Sequence, residues 1–287
     1  NDHLDIMLSI GDGYWEHRLP LNITDEVEVA RITYAWDAAT RAAVLSVYQP
    51  RSQHLAQTLV PAPRPVPWAA LRALIHDAPE MCRVNDVSFV ALSRAFEPAG
   101  PMPGLTRRSE IATPLGMRPI GDMDTGDVVL TPRGAACRVL AQVRRRLPAR
   151  GSFAPYVLRA PSMGLEHDLT LSAESLVELE GSDVEYLLGT ERVLAQARQI
   201  GERQVPLTGL PPATVTYHLL ILDSVEIFDA GVGLATLNLG TAAPTGLSSA
   251  TTLWADAAGH MPRGHGPAPH PLARAYEVVT LNAGRAA

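Results

Sequence analysis

Ile32, Tyr34 and Trp36 alternate with Arg31, Thr33 and Ala35, the two-residue period of a strand with one buried face. Just upstream, Val27 and Val29 hold the opposite phase. The pattern therefore predicts a strand over residues 27–36 with a bulge near Ala30. Residues 37–40 read as a short loop, and residues 44–48 as the returning arm of a hairpin. Pro50, Pro61, Pro63, Pro65 and Pro67 mark stiff, extended chain. Trp68, Leu71 and Ile75 then share one face at helical spacing, with Pro67 suited to the position just before them, so a helix of two or three turns is expected. Residues 87–92 predict one more strand. Pro98, Gly100, Pro101, Pro103 and Gly104 form the clearest linker in the chain.

From Ser109 the pattern changes to short apolar runs broken by turns. Strands are predicted over residues 127–131, 137–143, 156–160 and 169–171, and over much of 215–228. Gly181, Ser182 and Asp183 read as a hairpin turn into a strand over 184–187. Residues 241–271 are rich in Ala, Gly, Pro, Ser and Thr, a flexible segment or long loop, and residues 275–281 regain strand character and are expected to dock back. The expected organisation is a small β-sandwich with one short helix over 1–103, a second strand-rich domain over 104–240, and a tail over 241–287 ending in a docking strand. No glycine-rich phosphate loop precedes a helix, which argues against a dinucleotide fold.

The 287-residue chain is long enough for two cores, and 46% hydrophobic against 19% charged residues is a globular balance. A net charge of -6 argues against nucleic acid as a partner. There is no lysine, which removes any lysine-based mechanism; the basic run Arg144-Arg145-Arg146 reads as a solvated strand end. Cys82 and Cys137 make neither a disulfide framework nor a zinc motif. No apolar run reaches the length of a membrane span. The chain opens at Asn1 rather than Met, so the missing leader pattern carries little weight; a bacterial protein, secreted or cell-associated, is expected.

One constellation goes further. Ile111-Ala112-Thr113-Pro114-Leu115-Gly116 is followed by Pro119-Ile120-Gly121-Asp122-Met123 and by Gly126-Asp127-Val128-Val129-Leu130-Thr131. In that order these pieces resemble the opening of a Hint domain, the self-processing fold shared by hedgehog proteins and inteins. Looser pieces follow: residues 171–177 resemble the family's Thr-x-x-His segment, residues 193–198 the strand after it, and Tyr217 and His218 the Tyr-x-His strand of bacterial Hint proteins. The resemblance covers roughly residues 104–237. It implies an all-β fold, a Hint-type horseshoe of short strands.

The resemblance also implies a chemistry. A first-position cysteine attacks the carbonyl before it, and a nearby histidine protonates the leaving amide nitrogen, help worth about 10²–10⁴-fold. A thiol suits the attack because part of it ionises near neutral pH, whereas a hydroxyl needs an activating base. This sequence departs at both places. Gly104 stands at the nucleophile position, Ser175 at the histidine and Ser172 at the threonine; Val225 falls near where some relatives carry another histidine. A serine hydroxyl is no proton donor with a near-neutral pKa. Thr106 and Ser109 remain as alternative nucleophiles, with His218 or His167 as surviving imidazoles.

Other features are weaker. His260, His265 and His270 recur in a Gly/Pro-rich tail, and Asp122, Asp124 and Asp127 lack the closing glutamate of a calcium loop; no metal and no cofactor is expected. The first domain loosely resembles concanavalin- or laminin-G-like sandwiches. There Tyr14 and Trp15, in a turn expected to leave Trp15 exposed, are candidates for stacking on a sugar ring, while Trp36 is expected in the core. The preferred expectation is a Hint-domain protein with lost self-processing, serving as a structural or binding module for an unidentified protein or glycan. Two alternatives stay open: self-cleavage near Pro103–Ser109, and glycan binding through the first domain.

Overall fold

The structure is a computed structural model, and it describes residues 2–10, 12–22, 29–61, 63, 65–75, 86–203, 212–224, 227–235, 246–257, 260 and 269–286. The described chain is mostly strand with a few short helices. It divides into two compact units, Asn1–Pro101 with Thr245–Leu253, and Met102–Pro244 with Trp254–Ala287. The tail therefore splits between the two units.

The first unit opens with the hairpin β1 (His3–Ile10) and β2 (Gly13–Pro20), followed by the antiparallel sheet of β3 (Arg31–Asp37), β4 (Ala42–Gln49) and β5 (His54–Pro61), and by helix α1 (Trp68–Ile75). Alternation along these strands makes two layers. Leu4, Ile6, Trp15 and Leu19 of the hairpin pack on Ala43, Leu45, Val47, Ala56 and Val60 of the sheet, with Tyr34 and Trp36 against the same cluster. β3 begins at Arg31, so Val29 and Ala30 lie outside it; Val27 lies outside the described residues. Residues 87–92 are not a strand, and Val87, Val90 and Leu92 are exposed.

The second unit runs β6 (Leu105–Thr106), β7 (Glu110–Thr113), β8 (Gly116–Pro119), β9 (Val128–Leu130), β10 (Ala136–Pro148), β11 (Pro155–Leu158), β12 (Leu169–Ser172), β13 (Leu176–Glu180), α2 (Ser182–Leu188), β14 (Arg192–Gln196), α3 (Ala197–Ile200), β15 (Glu202–Arg203), β16 (Thr214–Leu222), β17 (Ile227–Asp229) and β18 (Gly233–Ala235). Seven strands form one sheet in the order β15-β11-β12-β6-β16-β10-β9, four form another in the order β14-β13-β18-β17, and β7 pairs with β8. The long β10 is bulged between Val139 and Ala141, which lets one strand pair with β16 along most of its length and with β9 at its start. β6 is only two residues long, yet it is central: Leu105 pairs with Leu171 on one side and His218 on the other. Leu105 is 1% exposed and belongs to the main core with Ile111, Ile120, Met123, Val139, Leu171 and Leu220.

Helices α4 (Leu247–Thr251), α5 (Leu253–Ala257) and α6 (Ala275–Ala286) complete the chain. Two expected strands are helices. Over 182–188 the chain is bounded by Gly181, whose carbonyl accepts the Glu185 N–H, and by Gly189 in the left-handed region at φ 68°; Asp183 and Glu185 favour its first turn. Over 275–286 the buried Val278 and Leu281 lie three apart while Tyr276 and Val279 are exposed, a helical and not an alternating pattern. Glu277 reaches back to the Arg274 N–H at 2.6 Å, as the third residue of a capping box does. α6 closes a second cluster made by Leu179, Val184, Val193, Ala195 and Ala273.

Leu281→Ala should therefore destabilise the protein by about 2–5 kcal/mol, read as a lower urea midpoint. An unchanged midpoint would mean that α6 is not part of this core.

Candidate functional site

The site is built around the chain as it enters β6. β12 ends at Ser172, and a tight turn, in which the Ser175 N–H donates to the Ser172 carbonyl at 3.1 Å, leads to β13. This turn grips residues 102–104 from three directions. The Ser175 hydroxyl accepts the Gly104 N–H at 3.0 Å and lies 3.1 Å from the Gly104 carbonyl, to which it donates. The Ser172 N–H donates to that same carbonyl at 2.8 Å. The Ser172 hydroxyl donates to the Met102 carbonyl at 2.6 Å and receives the Glu174 N–H at 3.2 Å. α3 holds the turn from behind: the Ala197 N–H donates to the Ser175 carbonyl and the Arg198 N–H to the Ala173 carbonyl. Hydrogen bonds of this kind contribute about 0.5–1.5 kcal/mol each.

Glu174 is the centre of charge. Its carboxylate is buried, accepts the Met102 N–H, and lies 3.2 Å from the Arg198 guanidinium as an ion pair. A carboxylate that deep requires such partners. On the other side Tyr217 donates its phenol to the Phe153 carbonyl at 2.8 Å. Burial, and then the Glu174 charge, push that phenol far above its usual range, so it stays protonated.

Gly104 itself sits at φ 150°, where L side chains are strained. A Cβ placed there would lie 3.0 Å from the His218 carbonyl oxygen and 3.0 Å from Tyr217 Cβ. β16 thus passes the junction at glycine distance. It presents Tyr217 toward Gly104, while His218 approaches with its main chain and, by strand alternation, sends its ring to the other face.

There the imidazole feels Arg144, Arg107 and Asp122. Burial first, then the two arginines, hold its pKa below the ordinary 6.5, against a smaller opposing effect of Asp122. His218 Nδ1 is buried without a hydrogen-bond partner among the described residues. Among the described residues no hydrogen bond joins this ring to Gly104, Ser172 or Ser175. The structure therefore joins Gly104, Ser172 and Ser175 by hydrogen bonds, while His218 meets Gly104 through its main chain and not through its ring.

The alternative nucleophiles are engaged elsewhere. Ser109 donates to the Thr170 carbonyl at 2.8 Å; Thr106 Oγ1 lies 3.2 Å from that carbonyl and 3.1 Å from Ser109 Oγ. His167 is exposed in a loop. The carboxylates of Asp122 and Asp127 pair with Arg107 and Arg118, and no cluster of metal-ligating side chains exists among the described residues. Cys137 is buried and its Sγ accepts the Ser224 hydroxyl at 3.6 Å; Cys82, Val225 and His265 lie outside the described residues, while His270 pairs with Glu178 at 3.1 Å. In the first unit Trp15 is half-buried against the core rather than exposed, because residue alternation along β2 turns it inward and Tyr14 outward; Tyr14 is exposed and its hydroxyl contacts Glu16 at 3.2 Å. Sequence reasoning assigned no role to Glu174, Arg198 or Tyr217. The one available signal was Glu174 standing as a lone charge in the otherwise uncharged run 169–177.

Residues 103–235, just under half of this chain, match the family model described as Hint domain. Solved structures similar to this chain include two of the intein type. The crystal structure of the MchDnaB-1 intein (N145AA) is 17% identical, with 46% of this chain and 99% of that chain covered and a TM-score of 0.31. The solution structure of the bacterial intein-like domain from Clostridium thermocellum is 12% identical, with 47% and 99% covered and a TM-score of 0.32. No curated protein matches the chain. No helix among the described residues is long and apolar enough to cross a membrane.

Two predictions follow from the geometry. Arg198→Met strands the buried Glu174 charge and should cost about 3–5 kcal/mol, and the added change Glu174→Gln should recover part of that loss; additive losses in urea titrations would contradict the pairing. For His218 the folded pKa lies below the unfolded one, so the unfolded chain binds the extra proton first. Its contribution to stability is complete above about pH 6.5 and is lost as pH falls through the folded value. His218→Gln should flatten the unfolding midpoint over that acidic window, and an unchanged slope would count against a buried neutral ring.

Proposed function

We propose that this protein uses its Hint domain as a structural and interaction module in which the self-processing chemistry is lost. The observation that carries this reading is the packing at Gly104: no side chain is present to attack, and β16 leaves no unstrained room for one. Ser175 supports it further. Its hydroxyl bridges both ends of residue 104 and lacks the acidity needed to protonate a leaving amide. Cleavage by Thr106 or Ser109 is disfavoured because neither hydroxyl contacts an imidazole base among the described residues, and both point to the Thr170 carbonyl. The lectin-like reading of the first unit loses its main anchor with Trp15 turned into the core.

The partner expected on this reading is a protein or glycan. With four acids and one arginine along 180–192, and exposed Tyr186 and Leu187 on α2, the second unit offers a surface of mixed character to it.

Purified full-length chain kept for days at neutral pH, with and without thiol, should give one intact mass. Fragments with a new terminus between Pro103 and Ser109 would overturn the reading. Restoring both missing groups together, Gly104→Cys with Ser175→His, should lower the unfolding midpoint and still yield no thiol-induced cleavage, because the obstacle is the backbone and its neighbours as well as the missing atoms.

A further inference from the structure

The first unit is not built from one stretch of chain. Its sheet has two faces. One is the apolar face covered by the β1–β2 hairpin. The other carries Arg31, Ser46, Tyr48 and Gln57, which the register places side by side: Arg31 opposite Tyr48 and Ser46 opposite Gln57. Arg31 lies over the Tyr48 ring at 4.8 Å. Arg31, Ser46 and Tyr48 are all buried, so something covers this polar face.

The cover comes from both sides of the Hint domain in sequence. From before it come Ala99 and Gly100; the Gly100 carbonyl accepts a hydrogen bond from the Arg31 guanidinium. From after it comes α4 with Thr252. Gln57 donates to Thr251 Oγ1 at 2.8 Å across 194 residues of sequence. Ala99 and Thr252 form a parallel bridge, and the Ala99 N–H donates to the Thr251 carbonyl at 2.7 Å. Gly100 sits at φ 81°, a left-handed conformation that favours glycine, beside Leu55 and Thr252. Thr251 and Thr252 are buried.

We infer that the polar face of the β3–β4–β5 sheet is a binding surface for the segment that follows the Hint domain, so that a break in the chain before residue 99 leaves the first unit bound to the rest. The contact that holds it is side-chain specific, Gln57 with Thr251, beside the bond from the Ala99 N–H to the Thr251 carbonyl, and the groups are paired, which a buried polar interface requires. The Hint domain is thereby an insertion in the first unit, and that unit is held in place by its own downstream segment. This arrangement does not depend on whether the junction at Gly104 reacts.

The test uses the full-length chain with a site for a sequence-specific protease inserted between Arg94 and Ala95, both exposed. After complete cutting, the two pieces should co-elute at the volume of the uncut protein on native size exclusion and separate in denaturant. Separation on the native column would overturn the inference. Thr251→Arg places a charged bulk against Gln57 and should release the first piece after cutting; Gln57→Ala, a milder change, should release it more slowly. Co-elution of both cut variants as firm as that of the unsubstituted chain would equally overturn it, since the retaining contact would then lie elsewhere.

Discussion

The second unit turns on one close approach. β6 has two residues, but it is threaded between β12 and β16 in the middle of a seven-stranded sheet, and Gly104 leads into it with the β16 backbone 3.0 Å from where a Cβ would stand. Everything nearby follows from that distance. Leu105 can reach the core only because the preceding residue has no side chain to keep β16 away. The turn over 172–175 then folds down on the same backbone and replaces solvent with hydrogen bonds to Met102 and Gly104. A reacting junction needs a strained peptide with a free attacking group and a proton source beside it. The junction here is satisfied at both ends of residue 104, and the hydroxyl that satisfies it occupies the place that the Hint resemblance gives to an imidazole.

The buried Glu174–Arg198 pair fits this picture as a constraint on position more than as a source of stability. Buried pairs seldom gain much over apolar packing, yet losing one partner is costly. Here the carboxylate also receives the Met102 N–H, so the pair ties the incoming chain to α3. His218 shows the reverse: an imidazole from the resembling motif, retained in sequence, faces away from the junction, and its environment favours the neutral form.

How much of this was legible in the sequence differs by feature. The Hint segment was legible because three turn-and-strand pieces recur in fixed order, each with its own glycine or proline. The β3–β4 hairpin of the first unit was legible from alternation, as Ile32, Tyr34 and Trp36 against Arg31, Thr33 and Ala35 show, whereas the β1–β2 hairpin and β5 were not read. The helices at 182–188 and 275–286 were misread as strands. Val278 and Val279 carry strand propensity, and the decisive term, a Glu277 cap with burial at Val278 and Leu281, is a tertiary and local-capping effect that propensity does not report. The placements of Gly104, Ser172 and Ser175 were readable as substitutions but not as contacts; that Ser175 bonds both the N–H and the carbonyl of residue 104 depends on a turn geometry no pattern encodes. The return of residues 246–252 to the first unit left no mark in a stretch that reads as rich in Ala, Gly, Ser and Thr.

The central claim is that the Gly104 amide is locked. Backbone amide hydrogen exchange at single-residue resolution reads this directly. The Gly104 and Met102 amides should exchange as slowly as those of β16, opening only with the second unit as a whole. Exchange at the rate of an exposed loop at those two amides, with β16 still protected, would contradict the account.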